Sequence, residues 1–256
     1  GETPYKSRMI AFRDGIQTLT RRLTDTSQAR VVTAAQINAI EHSDGHWTVR
    51  WRSAGSDHEA RSDALVVSVG ETDLRGLPWP PDLADRLDAV PRLEYPPVTT
   101  LVLGFRCEQV THALDGFGML IPLKERRRIL GAIFSSTIFP DRAPDGHVSL
   151  MIFMGGATMP DAAKASLEDA VSLARGELAD LLGISGEPVF AKSVHWPLAI
   201  PQYNVGHGDF LAALESIERD RSGLAFCANY RGGPGLSDCL DSARRTASGI
   251  LDQKGA

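Results

Sequence analysis

The residues best suited to chemistry lie near the end of the chain. There, residues 224–229 read as a strand, Gly232, Gly233 and Gly235 as a turn, and residues 236–251 as an alanine-rich amphipathic helix. Glycine lets a backbone come close to a ligand. The first N–H groups of a helix have no acceptor inside it and carry the positive end of its dipole. Such a turn offers a place for an anion or for a polarised carbonyl of a cofactor. Spacing alone leaves a plain strand-to-helix turn, in which glycine only relieves crowding, equally open. The turn is not a GxGxxG fingerprint, and no Gly-Lys-Ser/Thr follows to make it a phosphate loop.

Other reactive residues are scattered. His42 and His46 stand four apart, but across an Asp44-Gly45 turn rather than along a helix, which makes a poor metal pair. His207 follows Gly206 in a loop and reads as a local hydrogen-bonding group. Cys107, Cys227 and Cys239 form no CxxC pair and leave an odd count, so they read as small buried hydrophobes in a reducing compartment.

These residues need elements to position them. Residues 12–23 form a predicted helix with Ile16, Leu19 and Leu23 on one side. Residues 30–40 suggest one bent strand or a pair. Asp44-Gly45 predicts a hairpin turn, followed by a half-buried strand at 47–51. Residues 63–69 are apolar enough for a strand covered on both faces, ended by Gly70. Pro78, Pro80 and Pro81 mark a connection between domains. Strand-like runs at 98–105, 118–121, 129–134 and 148–153, separated by turn residues, predict an antiparallel sheet. A helix at 161–182, a strand at 187–196, a loop at 201–208 and a helix at 210–219 lead back to the glycine turn. The order predicts a mixed α/β (α+β) chain: residues 1–76 and 201–256 in one domain, entwined with a sheet domain at 77–200.

Composition agrees with a folded chain, at 43% apolar and 23% charged residues. Its 256 residues can bury a core without disulfides or metals. Net charge is −5, and the basic spots at Arg21-Arg22 and 124–128 are short, which argues against nucleic acid as the main partner. No apolar run approaches the ~20 residues of a spanning helix. The start, Gly1-Glu2-Thr3-Pro4, carries neither a leader pattern nor a methionine, and suggests a processed or truncated end.

Several blocks together carry a resemblance. The end segment, L-A-F-C-A-N-Y-R-G-G-P-G-L-S-D-C-L-D-S-A, resembles the C-terminal flavin motif of the protoporphyrinogen oxidases, within the amine-oxidase-like superfamily. D-G-F-G-M-L-I-P at 115–122 resembles that family's G-F-G-x-L strand, with R-I-L-G-A-I-F-S-S at 128–136 and Phe139-Pro140 following at the expected distance. W-P-L-A-I-P-Q-Y at 196–203, with Gly206-His207, resembles its W-x-x-x-I-P-Q-Y-x-x-G-H block. The resemblance spans nearly the whole chain.

It implies an FAD-dependent fold in which an incomplete Rossmann-like domain is joined to an antiparallel-sheet substrate domain. Flavin contacts would fall on Ile37, Trp196, Pro234, Gly235 and Leu236, and substrate contacts on Phe117, Gly118 and Leu120. Read without the family, Ile37, Trp196, Phe117 and Leu120 are ordinary strand-core residues. The implied activity is oxidation of protoporphyrinogen IX to protoporphyrin IX in haem biosynthesis, with hydrogens passed to FAD and molecular oxygen as acceptor. A cofactor carrying the chemistry accounts for the lack of a Ser-His-Asp set, a carboxylate pair or a metal cluster in the sequence. A porphyrinogen, large and apolar, suits a pocket of Phe, Leu and glycine backbone.

The sequence departs from the family in lacking the N-terminal strand and GxGxxG turn, which implies a truncated chain that binds FAD weakly or not at all alone. It also implies that strand 224–229 loses its parallel neighbour, so that the chain would dimerise or associate through that edge. Ala228 stands where Gly is frequent and Pro234 where Val is common. Coproporphyrinogen III oxidation, and a non-catalytic remnant holding a tetrapyrrole or a partner protein, are the rival readings. A cytoplasmic location, with peripheral membrane contact left open, completes the expectations.

Overall fold

Asp44 and Gly45 both adopt positive φ, 52° and 74°, and so fold the chain into the tight hairpin their sequence predicts. The structure, a computed structural model, describes residues 10–139 and 141–255; Gly1 to Pro4 and Pro140 lie outside the described residues. The elements are α1 (Gln17–Thr26), β1 (Gln36–Ser43), β2 (His46–Ser53), β3 (Ser56–Ser62), β4 (Leu65–Val67), α2 (Glu71–Leu74) and α3 (Pro81–Ala89). There follow β5 (Val98–Arg106), β6 (Gly118–Leu120), β7 (Gly131–Ile133), α4 (Ser135–Ile138), β8 (His147–Gly155), α5 (Leu167–Leu182) and β9 (Phe190–Trp196). The chain ends with α6 (His207–Asp220), β10 (Leu224–Phe226) and α7 (Leu236–Gly255). They fall into two units, each built from two stretches: 1–31 with 96–199, and 32–95 with 200–256.

In the first unit the antiparallel strands run in the order β6-β7-β8-β5-β9. Alternation along β5 and β8 sends Leu101, Leu103 and Phe105, with Leu150, Ile152 and Met154, to one face, where all are fully buried. Helix α5 covers that face with Ala170, Ala174, Leu178 and Leu182, one every four residues. Each fully buried leucine there stabilises the unit by roughly 1.5–3 kcal/mol. Ser166 caps the start of α5 by accepting the Asp169 amide at 3.1 Å, and Gly183, at φ 60°, closes its end. That cap shortens the helix expected over 161–182, whose first residues form a separate 3-10 turn.

In the second unit β1, β2 and β3 form an antiparallel meander, with β3 not foreseen from the sequence. Trp47, fully buried, donates its indole N–H to the Ser222 carbonyl at 2.9 Å. Trp47 joins Leu83, Leu87, Phe210, Leu214, Phe226 and Tyr230 in the core. Glu71 and Arg75 make a buried ion pair at 2.8 Å, and Arg75 also donates to the Val90 carbonyl, which ties down the end of α3.

Three expectations are corrected. The helix expected at 12–23 starts only at Gln17, because Gly15 turns at φ 86°, and it buries none of its residues. The strand expected at 63–69 is limited to Leu65–Val67, and Val66 is 47% exposed, so β4 is not covered on both faces. Strand 224–229 is not unpaired: Leu224, Ala225 and Phe226 run parallel to Leu65, Val66 and Val67. The two strands form a sheet of their own, so each has one neighbour among the described residues.

Candidate functional site

In an open parallel arrangement, ligands bind beyond the C-terminal ends of the strands. Beyond β4 and β10, against α7, lies a hollow of about 330 Å³ lined by Ser68, Gly70, Cys227, Ala228, Asn229, Cys239 and Ala243. Every lining side chain is small, so a flat ring can approach the backbone closely. Burial pushes the Cys239 thiol up from its usual value, with Asp238 and Cys227 adding to the effect, so it stands there as a neutral thiol.

The turn between β10 and α7 is held from several sides. Tyr203 donates its hydroxyl to the Asn229 carbonyl at 2.7 Å and accepts the Gly233 amide at 3.1 Å. His207 stacks on Tyr203 with ring centres 4.0 Å apart, and its Nε2 lies 3.0 Å from the Tyr230 carbonyl. That nitrogen is the protonated one, since a carbonyl can only accept. Arg231 grips Glu218 at 2.8 Å and donates to the Phe226 carbonyl, while Glu218 accepts the Phe226 amide at 2.7 Å. Gly233, at φ 126°, could not be replaced without a shift: a Cβ there would lie 2.4 Å from the Asp238 carboxylate. The sequence left Tyr203, Glu218 and Arg231 without roles, and His207 bonds to a residue distant in sequence rather than locally. The I-P-Q-Y and G-H blocks signalled Tyr203 and His207, and the end segment contains Arg231, but nothing pointed to Glu218.

The start of α7 bears on the choice between an anion and a carbonyl. Asp238 turns its carboxylate back to accept the Gly235 amide at 3.2 Å, so one negative group already sits at this helix end. The amides of Leu236, Ser237 and Asp238 find no acceptor among the described residues. A second anion would meet the Asp238 charge, whereas a neutral carbonyl meets only free donors. The free amides and the small lining residues fit the flavin that the sequence resemblance implies. Pro234, Gly235 and Leu236 are all exposed at this end. Ile37, opposite Trp51 beside a bulge in β1, is 37% exposed and does not line the hollow.

The remaining expected contacts lie in the first unit. The sheet face opposite α5 is partly open, half-buried at its centre and exposed at its sides, and the register places Leu120, Gly131, Phe153, Thr100 and Val194 in one row across it. A second row runs Gly118, Ile133, Met151, Val102 and Lys192. Gly118 is demanded by strand approach, because a Cβ there would come 2.3 Å from the Ala132 carbonyl oxygen. Trp196 stands on the same face, 51% exposed, with its indole nitrogen 3.4 Å from the Thr100 hydroxyl. Leu120 is 90% exposed and Phe117 54%, so neither is the sheet-core residue its pattern suggested when read alone.

Comparison with known proteins gives the context. The family described as flavin containing amine oxidoreductase matches residues 3–251. Protoporphyrinogen oxidase 2, chloroplastic/mitochondrial, of Arabidopsis thaliana is 33% identical over 94% of this chain and 50% of its own length. The mitochondrial protoporphyrinogen oxidase of Nicotiana tabacum is 28% identical over 94% of this chain and 51% of its own. A coproporphyrinogen III oxidase of Propionibacterium freudenreichii subsp. freudenreichii is 28% identical over 75% of this chain and 36% of its own. Among solved structures, the cyclohexylamine oxidase of Brevibacterium oxydans IH-35A superposes with a TM-score of 0.67 at 14% identity, covering 94% of this chain and 53% of that one. The chain thus spans about half the length of the first two relatives.

Proposed function

The chain belongs to the flavin-containing amine oxidoreductase family, and from that premise we propose that it forms part of an FAD-dependent protoporphyrinogen oxidase. The observation that carries this reading is the partly open sheet face of the first unit, where mostly apolar side chains and two glycines lie in register across five strands with exposed Leu120 and Trp196 at its sides. Apolar side chains gathered on one partly exposed face are a feature of ligand- and partner-binding surfaces. A flat, largely apolar tetrapyrrole matches it in shape and polarity.

When bound, FAD would accept the hydrogens removed from the porphyrinogen, with molecular oxygen as the final acceptor. The residues of this chain bind and orient. The free amides of Leu236, Ser237 and Asp238 and the small residues of the hollow would hold the flavin ring, and Tyr203 keeps the turn in place. Leu120, Phe153, Met151 and Val102 exclude water from the porphyrinogen. Residues 1–256 contain no GxGxxG turn, so on their own they are proposed to hold FAD weakly.

The second reading, coproporphyrinogen III oxidation, is favoured by two relatives of that name and disfavoured by the small number of basic residues on the sheet face. The test joins this chain to the half of the tobacco mitochondrial relative that the match leaves uncovered, and supplies FAD, oxygen and each porphyrinogen in turn. Faster formation of fluorescent protoporphyrin than of coproporphyrin is expected. Preference for coproporphyrinogen, or oxidation of neither by a folded hybrid, would overturn the proposal.

A further inference from the structure

Lys192 interrupts an otherwise apolar row. It stands on β9, in register with Val102 of β5, at the end of the sequence Gly118, Ile133, Met151, Val102 across the open face. It is exposed, and no carboxylate or hydrogen-bonding group among the described residues partners it. The strand residues facing the same side include no Asp or Glu at all. The other basic side chains of this face, Arg106 and His147, sit opposite each other at the far end of β5 and β8. Four residues of strand separate Arg106 from Val102, about 13 Å at ~3.3 Å per residue. Lys192 is thus a lone positive charge beside a flat apolar surface.

We propose that Lys192 is the counter-charge for a carboxylate carried by the tetrapyrrole on this face, and so a specificity-determining residue. The inference rests on the substrate reading above. A macrocycle lying over Ile133, Met151 and Val102 brings a propionate at its rim to the β9 edge. The lysine stem extends the apolar surface while its ammonium reaches the charged group. A single such cation selects a tetrapyrrole that presents a carboxylate on one side rather than all round. A lysine on an edge strand can also serve only to prevent strand pairing, but that role would be indifferent to the carboxylates of a ligand.

The experiment titrates residues 1–256 with protoporphyrin IX and, separately, with its dimethyl ester, following porphyrin fluorescence. Wild type, Lys192→Met and Lys192→Arg are compared. The wild type is expected to bind the diacid more tightly than the ester. Lys192→Met should weaken the diacid about five- to tenfold and leave the ester unchanged, in line with loss of one charge-assisted contact. Lys192→Arg should recover most of the loss. Equal binding of diacid and ester by all three proteins would overturn the Lys192 role and leave the substrate face standing. Failure of the wild type to bind either porphyrin would overturn both.

Discussion

The hydroxyl of Tyr203 accepts the amide of Gly233 at 3.1 Å and, from the same oxygen, donates to the Asn229 carbonyl at 2.7 Å. One side chain thereby fixes both ends of the turn that opens into α7. Burial pushes the Tyr203 hydroxyl up from its usual value, against the opposing effect of the Gly233 bond, so it keeps its proton and remains a donor at neutral pH. Tyr203→Phe removes both bonds while retaining the stack on His207. The expected cost is about 1–2 kcal/mol of stability for the second unit. Amide exchange at Gly233 should quicken by about tenfold while that at Val67 and Phe226 holds. Unchanged exchange at Gly233 would show that the turn is held by something else.

His42 gives the second unit a pH dependence. Its imidazole stacks on Trp47 with ring centres 4.4 Å apart, and its pKa is held below the ordinary 6.5 by burial first, then by Arg221 and His46. The unfolded chain therefore takes up the proton before the folded one does. Stability is fully present above pH 6.5 and falls as the pH drops through the lower folded value. Thermal unfolding between pH 7.5 and 5 should show this loss, and His42→Phe should flatten it. A melting temperature that stays level or rises on acidification contradicts the assignment.

Leu120 and Leu101 separate binding from stability on the two faces of one sheet. Leu120 is 90% exposed, whereas Leu101 is fully buried against α5. Leu120→Ser should change unfolding free energy by less than about 0.5 kcal/mol and weaken protoporphyrin binding severalfold. Leu101→Ser should cost about 3 kcal/mol or more. Loss of binding and stability in equal measure at Leu120 would mean that the open face is structural.

Much of the antiparallel sheet was legible because alternation and turn residues are local signals. The runs at 98–105 and 148–153 became β5 and β8 with nearly the same bounds. Alternation says that a strand has two faces, but not which one is covered, and this is why Leu120 reads as core from sequence and stands in the open. Pairing between distant segments was less accessible. Strand β10 finds β4 across more than half the chain, and the Tyr203–Gly233 bond depends on a loop conformation that no spacing rule encodes. Asp238, three residues after Gly235, follows a helix-capping pattern and could have been foreseen; of the two groups expected at this turn, an anion or a carbonyl, its charge favours the carbonyl.

The central claim is that these residues supply one part of a flavin site. The most direct measurement is the visible absorption spectrum, after incubation with FAD and desalting, of this chain alone and of the chain joined to the uncovered half of the tobacco relative. A nearly colourless chain and a hybrid that stays yellow are expected, with the flavin band diminished by Gly233→Val. A hybrid that folds, as judged by circular dichroism, yet emerges colourless would contradict it.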